Sequence, residues 1–264
     1  MNKRIGVIVI LLVLALAAVL VGIKIKNNIH ANKIKAEIDS AVSLASGGSL
    51  LEAMDSYKGI LQQDIDVNTA KSIYDKIGEL NIKILFSPAK TQNNVIYKVQ
   101  DNDSLDAIAR KYNTTVALIK RANNLKSGLI RPGMDLKIST DKFSIIVDKS
   151  QNILTLKSGE EVVKVYNVST GANNSTPVGT FKIINKIVDP PWYSNGKPIP
   201  SGDPKNVLGS RWMGLTLKSY GIHGTTDDST IGTQVTQGCV RMHNNEVEEL
   251  YDIIPVGTEV TIVD

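Results

Sequence analysis

The sequence predicts a multidomain chain made of an N-terminal transmembrane helix, a short α-helical region, a small βααβ module and a mainly-β domain, sandwich- or barrel-like, with one or two helices. Three observations predict this order: an uncharged apolar run near the N-terminus, a stretch with helical periodicity, and a second half in which glycine and proline separate short alternating segments. We place the four parts at residues 1–30, 31–90, 91–141 and 142–264.

The composition is that of a folded protein. The chain has 264 residues, of which 42% are hydrophobic and 21% charged. Its net charge of +4 is too small to indicate a nucleic-acid partner. The single cysteine excludes a disulfide within the chain, so this thiol is either a small buried apolar residue or a reactive group.

The apolar run Ile5–Ile23 contains 19 residues and no charge. At a helical rise of about 1.5 Å per residue it spans roughly 28 Å, close to the thickness of a bilayer core. Lys24 follows directly, without the small-x-small site at which a signal peptide is cleaved, so the run is predicted to remain as a membrane anchor. The positive charges on its two sides slightly favour the orientation that keeps the bulk of the chain inside the cell.

Short helices are predicted in the next part, where apolar side chains recur at helical spacing. The first helix carries a stripe of four such residues, Ile34, Ile38, Val42 and Ala45, and ends at Gly47 and Gly48. Ser49 and Asn68 are the expected caps of the second and third helices. We interpret this part as a helical spacer, followed by a linker at residues 88–94.

Between residues 95 and 139 the pattern changes to strand, helix, helix, strand. Asp103 and Ser104 offer a cap to the first helix, and Thr115 opens the second. This stretch resembles the LysM module at the following positions: Tyr97–Val99, Asp103–Leu105, Ile108, Ala109, Tyr112, Leu118, Ala122, Asn123, Ile130–Gly133 and Leu136.

The resemblance to LysM implies binding to the N-acetylglucosamine-containing glycan of peptidoglycan. The family's ligand groove would lie between the loops 102–105 and 126–130. Contacts with glycan are expected from five residues there: Asn102, Asp103, Ser104, Leu129 and Ile130. The alternative is a small core-forming module without glycan affinity.

Extended segments are predicted in the last part at residues 144–147, 153–156, 161–169, 179–185, 212–217 and 260–263. One late helix follows, with Asn245 as its expected cap and with Val247, Leu250 and Ile254 facing inward.

Two clusters in this part carry groups suited to acyl transfer: residues 220–225 around His223 and residues 235–242 around Cys239. A thiol with a pKa of about 8.5 is mostly protonated at neutral pH, and a nearby histidine can take its proton and later return one to a leaving amine. Gly238 suits a tight turn with exposed amides, and Arg241 faces the same side as Cys239 if both are extended. Taken singly, a lone cysteine is more often a buried apolar residue, and a lone histidine is more often structural.

Together the clusters resemble the signature of the L,D-transpeptidase (YkuD-like) family, His-Gly-Thr followed after a spacer by Ser/Thr-x-Gly-Cys-Ile/Val-Arg-Met/Leu. The likeness extends over residues 143–264 through further matching runs at residues 169–171, 176–181, 190–193, 206–209 and 211–213.

This resemblance implies that Cys239 attacks the carbonyl of the L-centre of the third residue in a peptidoglycan stem and expels D-alanine. The acyl group would then pass to an amine of a neighbouring stem, which gives a 3→3 cross-link. His223 would be base and acid, the Gly238 carbonyl would orient its imidazole, and amides at residues 238–240 would form the oxyanion hole. Arg241 would position the cysteine loop or a stem carboxylate. Six further residues are expected to bind substrate: Gly224, Thr225, Thr236, Trp192, Tyr193 and Arg211.

Other functions stay open from the sequence: an L,D-carboxypeptidase, in which water takes the acyl group, a general cysteine endopeptidase, and a wall-binding scaffold with a silent catalytic domain. No metal or other cofactor is expected, because His243 lies four residues after Cys239 without further residues that would complete a ligand set. Against the substrate reading, Trp192, Tyr193 and Trp212 are aromatic residues of a kind that is more often in the core than in the wall of a groove. The expected wall partner places the domains outside the cell on a single-pass anchor in the cell membrane, against the charge count.

Overall fold

The computed structural model describes the backbone of residues 3–194 and 196–264, and the side chains of residue 24 and of residues 26–194 and 196–264. The chain divides into two compact units, Met1–Tyr74 and Asp75–Asp264. No helix with described side chains is long and apolar enough to cross a membrane. The predicted anchor, Ile5–Ile23, lies outside the residues whose side chains are described.

The first unit is helical. It contains the helices α1 (Lys3–Ser46) and α2 (Leu50–Ile60) and the start of α3 (Val67–Leu85). α1 ends where the sequence predicts, and Gly48 then takes a left-handed backbone with a φ of 89°. α2 packs along α1. The buried residues of α2 are Ala53, Met54, Tyr57 and Ile60.

Helix capping in this unit differs from the prediction. Ser49 precedes α2, but its side chain makes no cap hydrogen bond. The cap of α3 is Asp66, whose Oδ1 accepts from the amides of Asn68 at 2.9 Å and Thr69 at 3.0 Å. The predicted cap Asn68 therefore lies inside the helix. A carboxylate in the capping position satisfies orphan amides and also complements the positive end of the helix dipole.

The predicted βααβ module is present. It consists of β1 (Asn94–Lys98), α4 (Leu105–Lys111), α5 (Val116–Ala122) and β2 (Asp135–Ser139), with β1 and β2 paired antiparallel. The two predicted caps form, because Ser104 Oγ accepts from the Ala107 amide at 3.1 Å and Thr115 Oγ1 accepts from the Leu118 amide at 2.9 Å.

The rest of the C-terminal unit is mainly β, as predicted. Its strands are β3 (Phe143–Asp148), β4 (Ile153–Ser158), β5 (Glu161–Asn167), β6 (Thr170–Gly171), β7 (Gly179–Val188), β8 (Trp192–Ser194), β9 (Lys197–Ile199), β10 (Arg211–Leu215), β11 (Gly221–His223), β12 (Gln234–Thr236), β13 (Val240–Arg241) and β14 (Glu259–Val263), and its α-helix is α6 (Asn244–Ile253). Each predicted extended segment is a strand. Six short strands were not predicted, because two or three residues are too few to show an alternation of apolar and polar side chains.

Eight of these strands form one mixed sheet in the order β13-β11-β10-β7-β14-β3-β4-β5. The expected sandwich- or barrel-like domain is a single curled sheet, whose end strands are β13 and β5. Ser169, just after β5, forms a bridge to Arg241 of β13, so the two ends of the sheet approach each other. Helix α6, rather than a second sheet, covers its apolar face. The buried core joins sheet residues such as Ile145, Ile222 and Val260 to Val247 and Leu250 on α6.

Helix α6 begins two residues earlier than predicted. His243 occupies the N-cap position without a side-chain cap hydrogen bond, and the predicted cap Asn245 lies inside the helix. The helix also meets the βααβ module, since Arg121 of α5 pairs with Asp252 at 3.0 Å and the Thr115 hydroxyl donates to the Asp252 carbonyl. α6 thus connects the module with the β sheet.

Replacement of Val247 by alanine should lower the free energy of unfolding by about 2 kcal/mol, because this side chain is fully buried between α6 and the sheet. Val256→Ala is the matched control, since Val256 is 53% exposed and should change stability by less than about 0.5 kcal/mol. Urea denaturation of both variants measures the difference. Equal losses in the two would contradict the packing described here.

Candidate active site

The pairing of β11 with β13 brings the two predicted catalytic side chains to one face of the sheet. The strands run parallel, with Ile222 opposite Val240 and His223 opposite Arg241. Ile222 and Val240 are buried in the core. Because successive side chains on a strand alternate between faces, His223 and Arg241 face away from that core, and Cys239, two positions before Arg241, faces the same side. His223 and Cys239 are therefore diagonal neighbours on adjacent chain segments.

The imidazole of His223 is held by a backbone carbonyl. Its Nδ1 lies 2.7 Å from Gly224 O. A carbonyl only accepts, so Nδ1 carries the proton and Nε2 keeps its lone pair. The expectation that the Gly238 carbonyl orients the ring is therefore wrong; the acceptor belongs to the residue after the histidine. Trp212 stacks on the ring, with centroids 5.9 Å apart and planes at 21°.

The buried imidazole is neutral at physiological pH. Burial is the main cause that lowers the pKa of His223 to about 4, and the positive charge of Arg241 adds to it. Hydrogen bonds with the Gly224 and Leu208 backbone act in the opposite direction but are outweighed. A neutral imidazole with a free Nε2 is the form that can accept a proton.

The thiol of Cys239 is also neutral in the resting protein. Burial raises its pKa, against the smaller opposing effects of a hydrogen bond with the Gly221 backbone and the charge of Arg241. Cys239 Sγ lies 3.7 Å from the Ser219 carbonyl, to which the S–H points. Ser219 itself has a φ of 70°, a left-handed conformation that non-glycine residues seldom adopt. The site thus pairs a neutral thiol with a neutral base, not a thiolate with an imidazolium.

The turn before Cys239 is fixed by Thr236. The Thr236 hydroxyl donates to the Cys239 carbonyl at 2.6 Å and accepts from the Gly238 amide at 3.1 Å. Gly238 has a φ of 124°, and a Cβ there would approach Tyr220 Cε1 to 2.6 Å, so only glycine fits. Because its amide is already bonded, Gly238 does not supply the oxyanion donor that the family resemblance implies.

Arg241 is held in place through both its backbone and its side chain. Its backbone carbonyl accepts from the Ser169 amide at 2.8 Å, and its backbone amide donates to the Ser169 carbonyl at 2.9 Å. Its Nη1 donates to Thr230 Oγ1 at 2.9 Å. The cation is thus fixed close enough to both catalytic candidates to influence their pKa values.

A cleft of about 560 Å³ opens beside Cys239. Its lining is aromatic, apolar or neutral-polar: Ile187, Pro190, Pro191, Trp192, Tyr193, Leu208, Trp212, Ser219, Tyr220, Gln237 and Cys239. Trp192, Tyr193 and Trp212 all lie in the cleft wall, although aromatic residues of this kind are more often in the core. Contact of Trp192 and Tyr193 with substrate stays a prediction.

The other predicted substrate residues lie outside the cleft. Arg211 donates to Ser210 O at 2.7 Å and faces Glu248 of α6 at 3.7 Å, because it alternates with Trp212 along β10. Thr225 is buried and bonds within its own turn to Asp227. Thr225, like Gly224 and Thr236, supports the site but does not line the cleft. The Nδ1 atom of His243 lies 2.7 Å from Asp228 Oδ1.

The predicted glycan residues of the module differ in what their side chains do. Asp103 Oδ2 accepts from Tyr97 Oη at 2.8 Å and from the Gln100 amide at 2.7 Å, and Ser104 caps α4. Asn102 has a φ of 64°, and Ile130 packs partly on the module's core. Leu129 is 70% exposed and is the exposed hydrophobic side chain among these five.

Comparisons with known proteins match the βααβ module and the mainly-β domain. Residues 142–262 match the model of the L,D-transpeptidase catalytic domain, and residues 97–139 match that of the LysM domain. A Bacillus subtilis protein named L,D-transpeptidase YkuD is 36% identical over 174 residues, which cover 63% of this chain and 97% of that protein. The chain belongs to the L,D-transpeptidase family. A second Bacillus subtilis relative, named L,D-transpeptidase YqjB, is 43% identical over 126 residues, which cover 46% of this chain and 70% of that protein.

Solved structures of L,D-transpeptidases are more distant in sequence. The enzyme from Mycobacterium smegmatis is 20% identical, with a TM-score of 0.41, over 50% of this chain and 64% of that one. The catalytic domain from Enterococcus faecium is 21% identical, with a TM-score of 0.39, over 47% of this chain and 98% of that one.

Alkylation of Cys239 by iodoacetamide should show its pH inflection above that of an ordinary exposed thiol, because burial raises the pKa of this thiol. Intact mass reports the reaction directly, since the chain holds one cysteine. Arg241→Gln should move the inflection still higher, because it removes a cation that favours the thiolate. A rate that already levels off near neutral pH would contradict the neutral pair and indicate a thiolate–imidazolium pair.

Proposed function

We propose that this protein is a peptidoglycan L,D-transpeptidase that forms 3→3 cross-links through a thioester on Cys239. The observation that carries the proposal is the placement of Cys239, His223 and Arg241 on one face of paired segments beside an open cleft. Membership of the L,D-transpeptidase family supplies the substrate class, and the LysM domain supports attachment to the same polymer.

In the first half-reaction the thiol attacks the carbonyl carbon at the L-centre of the third stem residue. As the S–C bond forms, His223 Nε2 takes the thiol proton, and the carbonyl oxygen becomes an oxyanion. With the Gly238 amide bonded to Thr236, the amides of Cys239 and Val240 are the proposed oxyanion donors. Collapse of this intermediate breaks the C–N bond, and the imidazolium gives its proton to the departing amine of D-alanine.

In the second half-reaction an amine of a neighbouring stem attacks the thioester. His223 takes a proton from that amine, the C–S bond breaks, and the sulfur regains the proton as the amide cross-link forms. The uncharged aromatic and apolar cleft wall supports this direction, because an organic amine gains contacts there that water does not.

Arg241 is assigned an electrostatic role. Its positive charge stabilises the developing negative charge on sulfur and oxygen and disfavours a resting imidazolium. Arg241 does not line the cleft and is bonded to Thr230, which supports a role in holding the cysteine loop rather than in binding a stem carboxylate.

We further propose that the run Ile5–Ile23 anchors the chain in the cell membrane, with the LysM and catalytic domains on the wall side. The reason is chemical: stem peptides and glycan lie outside the cytoplasm. Protease added to whole protoplasts should remove the C-terminal domains while the membrane stays intact. Full protection of those domains would reverse the proposed orientation.

Incubation with tetrapeptide muropeptides should yield dimers that have lost one D-alanine, detected by mass spectrometry. Cys239→Ala should abolish this product while leaving binding to wall sacculi intact, since the LysM domain folds around its own core. Tripeptide monomers without dimers would instead assign the protein as an L,D-carboxypeptidase. Absence of both products with the wild-type protein would sink the enzymatic proposal and leave a wall-binding scaffold.

Leu129→Ala should weaken binding to chito-oligosaccharides by roughly tenfold, because a side chain that is 70% exposed loses no packing but loses its contact with glycan. Leu51→Ala, at an exposed position of α2, is the control and should bind like the wild type. Isothermal titration measures both. Unchanged affinity in Leu129→Ala would remove this loop from the proposed glycan groove.

A further inference from the structure

Asn244, the first residue of α6, joins segments that surround the imidazole. Its Oδ1 accepts from the amides of Ser210 at 3.0 Å and Thr225 at 3.2 Å. Its Nδ2 donates to the Thr225 carbonyl at 2.7 Å. One side-chain amide therefore fixes the loop before β10 and the chain that follows β11.

Two glycines make room for this amide. A Cβ on either Gly209 or Gly224 would collide with Asn244 Oδ1. Gly209 also has a φ of 65°, which favours glycine there. The close approach is thus built into the sequence on both sides, which indicates a specific seat for Asn244 rather than an incidental surface contact.

The bond from Thr225 N–H bears directly on His223. The Thr225 amide and the Gly224 carbonyl belong to the same planar peptide unit, in which N–H and C=O point in opposite directions. Because Asn244 Oδ1 holds the N–H, the C=O is held in the direction of His223 Nδ1, 2.7 Å away. Rotation of this peptide would break both bonds together.

We propose that Asn244 is a positioning residue for the proton-transfer step: it holds the Gly224–Thr225 peptide so that the imidazole keeps its proton on Nδ1 and presents Nε2 to the thiol. The inference rests on the proposed Cys239–His223 chemistry. A neutral imidazole has two tautomers, and only the one with a free Nε2 serves as the base. Without Asn244 the peptide can rotate, and the ring loses the acceptor that selects this tautomer.

The test compares the full-length wild type with Asn244→Ala and Asn244→Asp, with Asn245→Ala as the matched control, since Asn245 is the exposed neighbour on the same helix. Aspartate keeps an acceptor for the two amides but loses the donor to the Thr225 carbonyl. Long-range ¹⁵N–¹H spectra report the tautomer of His223, once its signals are separated from those of the other two histidines by His30→Gln and His243→Gln.

Wild type and Asn245→Ala should show only the Nδ1–H tautomer, whereas Asn244→Ala should show both. For turnover of tetrapeptide muropeptides, kcat should fall about tenfold or more in Asn244→Ala with KM changed less than about twofold, because binding groups in the cleft are untouched. The tautomer ratio and the kcat of Asn244→Asp should lie between those of the wild type and those of Asn244→Ala. If Asn244→Ala fails to fold, as thermal unfolding would reveal, Asn244→Asp carries the same comparison with a side chain of the same size.

A single Nδ1–H tautomer and unchanged kcat in the Asn244 variants would overturn the inference. The tautomer measurement needs no substrate, so it is independent of the proposed reaction. Absence of muropeptide products with the wild type would contradict the proposed function, while the spectra would still decide whether Asn244 selects the tautomer.

Discussion

The parallel pairing of β11 with β13 is the constraint on which the candidate site depends. It puts Ile222 and Val240 into the core and so turns His223, Cys239 and Arg241 to the opposite face. A shift of one residue in this register would bury the polar groups and expose the apolar ones. Such a slip would cost free energy because it would remove Ile222 and Val240 from the core. This cost keeps the thiol and the imidazole on neighbouring segments.

Burial then sets the chemistry of the pair. The same desolvation lowers the pKa of His223 to about 4 and raises that of Cys239, so both start neutral. In the proposed reaction, charge appears only as the thiol proton moves, and Arg241 and the backbone amides of the turn are the groups proposed to stabilise it. The Gly224 carbonyl accepts from His223 Nδ1, as the carboxylate does in a Ser-His-Asp triad. Because this acceptor is uncharged, it does not raise the pKa of the imidazole as a carboxylate would.

The sequence predicts local features better than those that depend on tertiary packing. The caps Ser104 and Thr115 form as expected, because the cap and its amide lie three residues apart. β11 and β13 were not foreseen as strands, because they hold three and two residues and exist only through their neighbours. The family motif identifies His223 and Cys239, but the acceptor of the imidazole is a backbone carbonyl, and its support, Asn244, is visible only once Gly209 and Gly224 are seen beside it.

Intact-mass measurement tests most directly whether a neutral thiol–imidazole pair forms a thioester. The protein is mixed rapidly with a tetrapeptide stem in the absence of an acceptor amine. The wild type should gain the mass of the stem less D-alanine, located on Cys239 by peptide mapping. His223→Gln should gain it at least about a hundredfold more slowly, because the proton acceptor is lost. An adduct that forms equally fast in His223→Gln, or that maps to a residue other than Cys239, would contradict the account.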